Sequence, residues 1–179
     1  SNESAVRELA AYLQDRSQKI DKIFLFSSQD TKKQLPGTDM TTVHFFASRI
    51  KEIVTAENII IVDYNENNSI DSSLSDIGNM GTIILSEAQK IQREQGAAGN
   101  ITIHADMTGG MRNASMMMLG VMRLLNFSGL QMGKILYSNF SFNRKINFVE
   151  DSQDVYRFFD LVAGATEFAK YGSVEKLAD

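Results

Sequence analysis

Cysteine is absent from this 179-residue chain, so neither disulfides nor thiolate chemistry enters. Histidine is scarce as well. His44 and His104 stand far apart in sequence, which argues against a histidine-rich metal site. No run of about 18 uninterrupted apolar residues occurs, so no segment is expected to span a membrane. The most apolar stretch, 114–125, is too short and carries Arg123. A signal-peptide pattern is also missing, the first residues being polar. The net charge is -4, and Lys and Arg are scattered rather than gathered into the basic face that tracks a long nucleic acid. These absences point to a cytoplasmic protein without membrane or long nucleic-acid contacts. Any anionic ligand is expected to be small and held locally.

What is present is ordinary for a globular domain: 43% hydrophobic and 22% charged residues, in a chain of single-domain size. Its periodicity alternates between helix and strand. Val6, Leu9, Ala10 and Leu13 recur at helical spacing and predict a helix over about 4–18. A short apolar strand follows at 22–26 and ends in Ser27-Ser28-Gln29-Asp30. Pro36-Gly37 marks a turn, after which Thr38 or Asp39 caps a helix burying Met40, Val43, Phe46, Ala47, Ile50, Ile53 and Val54. Residues 58–62 read as a strand buried on both faces, the pattern of a central parallel strand. A polar loop is expected at 65–75, then a helix that buries Met80, Ile83, Ile84, Ala88 and Ile91 and stops near Gly96. Further strands are expected at 101–105, 134–138 and 144–149. A helix at 113–127, apolar on nearly all sides, must be covered on more than one face. A last helix, 154–171, carries Val155, Phe158, Phe159, Val162 and Ala169 on one face.

Strands separated by helices of this length predict an α/β fold, a Rossmann-like, mostly parallel sheet with helices on both faces. One domain is assigned to 1–172, and 173–179 read as the start of a truncated C-terminal helical region. A doubly wound domain should open on a strand rather than a helix, which leaves open whether a first strand is missing. Ligands of such sheets bind beyond the carboxyl ends of the strands, where strand order reverses.

The turn Asp106-Met107-Thr108-Gly109-Gly110-Met111-Arg112 occupies such a position. Paired glycines let the backbone approach an oxygen closely, and the first N–H groups of the next helix lack partners inside it. Thr108 adds a hydroxyl donor, and Arg112 can fork onto a phosphate. Asp106 either accepts from a ribose hydroxyl or fixes the turn by bonding its own backbone, and Asn113 reads a base edge or caps the helix. A plain turn and cap would use the same small residues, but turn geometry needs no arginine. The Lys-Ser/Thr pair of a P-loop and the dinucleotide fingerprint are both missing. Ser27 and Ser28 end the first strand and either line the same rim or cap a turn. His104, alternating with apolar neighbours in a strand, reads as a structural histidine, and His44 as a solvated one. The methionines at 107, 111, 116, 117, 118 and 122 read as gap-filling core, or as a face for a partner helix.

That turn, after Ile101-Thr102-Ile103-His104-Ala105, resembles the signature of CRISPR-associated Rossmann-fold (CARF) domains, in particular the group named for an Asp-x-Thr-His-Gly motif. The likeness runs from about residue 20, through Ile135-Leu136-Tyr137-Ser138, to Phe158-Phe159-Asp160-Leu161, Glu167-Phe168 and Tyr171-Gly172-Ser173, though its specificity lies in one turn. Gly109 departs from the pattern, standing where those relatives often carry histidine. The resemblance implies a homodimeric sensor of type III CRISPR antiviral defence. It would bind cyclic tetra- or hexa-adenylate and regulate a fused effector, often a HEPN ribonuclease. By position, Thr108, Gly109, Gly110, Met111, Arg112 and Asn113 would line the ligand site. The Arg-and-His signature of that ribonuclease does not occur in this chain, so no catalytic residue, cofactor or metal is assigned. Two alternatives stay open: slow cleavage of the ring by the domain itself (a ring nuclease), which needs positioning more than an acid–base pair, and a nucleotide-dependent metabolic enzyme on the same scaffold.

Overall fold

The computed structural model describes residues 2–64, 70–96, 100–109, 112–139 and 148–172, with backbone alone at 70–72, 112 and 113. The order of elements is α1 (Asn2–Gln14), β1 (Ile23–Ser27), α2 (Thr42–Arg49), β2 (Ile59–Asp63), α3 (Ile70–Glu94), β3 (Thr102–Asp106), α4 (Arg112–Phe127), β4 (Gln131–Asn139), β5 (Phe148–Asp151) and α5 (Gln153–Tyr171). None of these helices is long and apolar enough to cross a membrane.

Local chemistry explains most boundaries. Ser17, with a positive φ of 57°, turns the chain out of α1. The cap of α2 is Thr41, whose hydroxyl accepts from the His44 N–H, and not Thr38 or Asp39. Thr38 instead accepts from the Met40 N–H in the preceding turn. α3 starts at Ile70, so its first turns occupy the second half of the expected 65–75 loop. Residues 65–69 lie outside the described residues, as do 144–147 of the last expected strand. Gly172, at φ +67°, closes α5 by donating to the Phe168 carbonyl.

The expectation of one Rossmann-like, mostly parallel sheet is corrected. The α/β character and the helices on both faces stand, but the strands form two small sheets. β1 and β2 pair in parallel, while β3, β4 and β5 form a mixed sheet with β3–β4 parallel and β4–β5 antiparallel. No ladder joins β1 to β3. Between them lies a cavity of about 1150 Å³, walled by Phe24 and Ile103 from the two sheets, Val6 from α1, and Met80 and Met117 from α3 and α4. The space opens to the surface and is accessible to solvent.

Alternation along β4 sets the layers. Ile135 packs with Met122 of α4 and Tyr156 of α5, whereas Lys134 and Leu136 face Tyr12 of α1. On the other sheet Phe24, Phe26, Ile60 and Val62 pack with α3 and α4. α2 is tied to α1 on the opposite face, where Glu3 pairs with Arg7 and Arg49. These exposed pairs register the two helices more than they stabilise them.

The β3–β4 register shifts between Ile103 and Ala105, so that His104 opposes both Gly133 and Lys134. The Lys134 N–H donates to Nδ1 of His104 at 2.9 Å. Burial, and secondarily the charge of Lys134, pushes the His104 imidazole below its ordinary value, with Asp151 opposing. The sequence reading of His104 as structural fits this place. Because the folded state binds a proton here less readily than the unfolded chain, the contribution is full above about pH 6.5 and is lost as pH falls through the lowered value. The thermal midpoint is therefore expected to fall between about pH 7 and about pH 5, and His104→Asn, which keeps an acceptor but cannot protonate, is expected to flatten that slope. Matching pH profiles for the two proteins in scanning calorimetry would refute the assignment.

Candidate functional site

The site is built where β3 hands over to α4. The Met107 N–H donates to the Leu136 carbonyl and so extends the β3–β4 ladder one residue into the turn. One carboxylate oxygen of Asp106 accepts from the Thr108 N–H at 2.9 Å, and the other accepts from the side-chain amide of Asn2 at 2.9 Å. Burial pushes the Asp106 carboxyl up from its ordinary value, and hydrogen bonds from Thr108 and Asn2 oppose that rise. Of the two roles left open for Asp106, the described geometry has it fixing the turn. Each carboxylate oxygen accepts from a local donor, which fixes its orientation.

Thr108 braces the same turn from the other side. Its hydroxyl oxygen accepts from the Ser138 N–H at 2.8 Å, so the turn is pinned to the end of β4. Gly109 is exposed and abuts α1: a Cβ there would stand 3.0 Å from Oδ1 of Asn2. A larger residue at this position would press on the Asn2 amide, which would have to shift by a few tenths of an ångström.

Ser27 and Ser28 end β1 and are buried, at 1% and 5% exposure. Ser27 Oγ shares a hydrogen bond of 2.9 Å with the Thr31 hydroxyl, which donates to the Ser28 carbonyl at 2.8 Å. Ser27 therefore serves the turn after β1. Ser28 lines the inter-sheet cavity together with Asn2, Asp106 and Gly109. The structure thus brings Ser28, Asp106 and Gly109 to one lining, and places Thr108 and Ser27 just behind it. Gly110 and Met111 lie outside the described residues, as do the side chains of Arg112 and Asn113.

Two residues here escaped the sequence reading. Asn2 reaches Asp106 across 104 positions, and Ser138 meets Thr108 across 30. No periodicity reports such contacts.

Chemically the arrangement is a rigid small-residue turn at the carboxyl end of a parallel strand, opening the 16-residue α4 beside a largely apolar cavity. It offers backbone donors and orientation rather than an activated nucleophile. Among the described residues no group of three or more acidic or histidine side chains could hold a metal ion. Scanned against the known protein families, the chain matches none, and no curated protein proves similar to it.

Proposed function

We propose that this chain is a CARF-like sensor domain that binds a cyclic oligoadenylate at the Asp106–Asn113 turn and passes the signal to an effector region. The observation that carries the reading is the braced turn: Asp106 and Thr108 are committed to holding it, leaving Gly109 exposed at the start of α4. Such a turn presents unpartnered helical N–H groups toward an anion, and by sequence Arg112 stands at the first helical position to neutralise it. Ser28, across the cavity rim, supplies a small polar group for a base edge.

A ring-shaped ligand of repeated charge suits a two-fold site, and an unpartnered surface favours self-association. Val155, Phe158, Phe159 and Val162 form a helical stripe on α5, and all four are exposed. The sequence reading placed these residues on one face of the helix, and among the described residues they remain 44–63% exposed.

Calorimetric titration with cyclic tetra- and hexa-adenylate tests the proposal. One ring is expected to bind at one per dimer, and Arg112→Ala is expected to weaken it about 100-fold, since a two-fold site loses one charge-assisted hydrogen bond from each protomer. A folded dimer that binds neither ring would end this reading.

A further inference from the structure

The cavity between the sheets is flanked by two strand edges and lined largely by apolar side chains. β1 and β3 are both five residues long, and among the described residues each is paired on one edge only, β1 with β2 and β3 with β4. Their other edges face the same gap and line it with Phe24, Phe26, Ile103 and Ala105. An unpaired parallel edge presents alternating N–H and C=O groups that seek a partner. Here two such edges confront each other across one space.

The helices define how that space is used. α1 begins at the carboxyl end of β3, where Asn2 bonds Asp106, runs back along the sheet, and leads into β1. This is the second half of a β-α-β crossover, helix then parallel strand, and right-handedness seats the first strand of the unit beside β1. The distribution of helices agrees. α1 and α2 lie on one face while α3 and α4 lie on the other, so the direction of winding reverses at the gap. A strand placed there would give the continuous order β2-β1-strand-β3-β4-β5.

We propose that the gap is a strand-acceptor slot, filled by a continuous apolar run of about five residues that lies parallel to β1 and β3 and passes directly into α1. Its composition follows from the walls. Val6 and Leu9 of α1 close one side, and Met80, Ile84 and Val121 close the other, so the strand is buried on both faces. It is therefore Val- and Ile-rich throughout rather than alternating, and free of proline, whose missing N–H would break a ladder. Its carboxyl end would come to rest between Ser28 and Asp106, completing the rim on which the candidate site stands.

Hydrogen exchange on the chain as it exists tests this without any nucleotide, so its result is independent of the sensor reading. The probe is a lysine-flanked Val-Ile-Val-Ile-Val peptide, with a second peptide carrying proline at the centre. The outward amides of β1 and β3 are expected to exchange at least tenfold more slowly with the first peptide and unchanged with the second. Fusing the same run ahead of Asn2 is expected to give that protection without added peptide and to raise the unfolding midpoint. Three results would overturn the slot: no protection by either form, equal protection by the proline peptide, or amides already protected in the free chain. Protection in the free chain that grows with protein concentration would assign the space to a second copy instead.

Discussion

Gly133→Ala is expected to destabilise the domain by about 2–3 kcal/mol, a large fraction of a typical domain's stability. An added Cβ would lie 2.5 Å from Cε1 and 2.7 Å from Nδ1 of His104, and 2.8 Å from Cγ2 of Thr102. The ring cannot swing away freely, because Nδ1 is held by the Lys134 N–H. Relief of the clash costs that hydrogen bond, about 1 kcal/mol, on top of the strain of overpacking. Gly81→Ala is the informative contrast. There the Cβ would also come within 2.5 Å of a neighbour, but the neighbour is Cδ2 of Leu124, the free end of a side chain that is 38% exposed. That side chain can rotate aside, and replacing a mid-helix glycine gains up to ~1 kcal/mol. Gly81→Ala is thus expected to be neutral or stabilising in denaturant titrations. In a double-mutant cycle, His104→Ala should absorb most of the cost of Gly133→Ala. Additive losses in that cycle would show that the ring is not what the new methyl meets.

The second large effect concerns assembly. Phe158→Asp is expected to weaken self-association about 30-fold or more, the scale of losing one central aromatic anchor at about 2 kcal/mol. Phe158 is 60% exposed in the protomer, so the substitution should leave the unfolding midpoint almost unchanged. Sedimentation velocity over a concentration series separates the two quantities. An unchanged oligomeric state would remove α5 as the contact face. If the variant becomes monomeric, its titration with cyclic tetra- and hexa-adenylate becomes decisive for the proposed site. A ring shared between protomers loses affinity in step with dimerisation, whereas a ring held within one protomer does not.

The reach of the sequence can be seen in these residues. The helical spacing of Val6 and Leu13 and the continuous apolar run at 59–62 located α1 and β2, because burial periodicity is a local property. The turn at Asp106 was legible for the same reason: small residues between a strand and a helix have few other uses. Periodicity reports which face of an element is covered but not what covers it. That is why Phe158 and Phe159 read as one helical face and yet stand exposed, and why the apolar strands β1 and β3 gave no sign that they fail to meet. The bulge at His104 was likewise invisible, since it depends on Gly133 arriving from a strand 29 residues later.

The placement of α1 bears on how the molecule is made. In the chain α1 precedes its packing partners β3, β4 and β5 by about a hundred residues. Until they exist, the apolar side of α1 at Ala5, Val6 and Leu13 has nothing to cover it. Long-range closure of this kind is slow compared with local hairpin and helix formation. β3, α4, β4, β5 and α5 all follow residue 100, so α1 is seated only after elements far along the chain have been made.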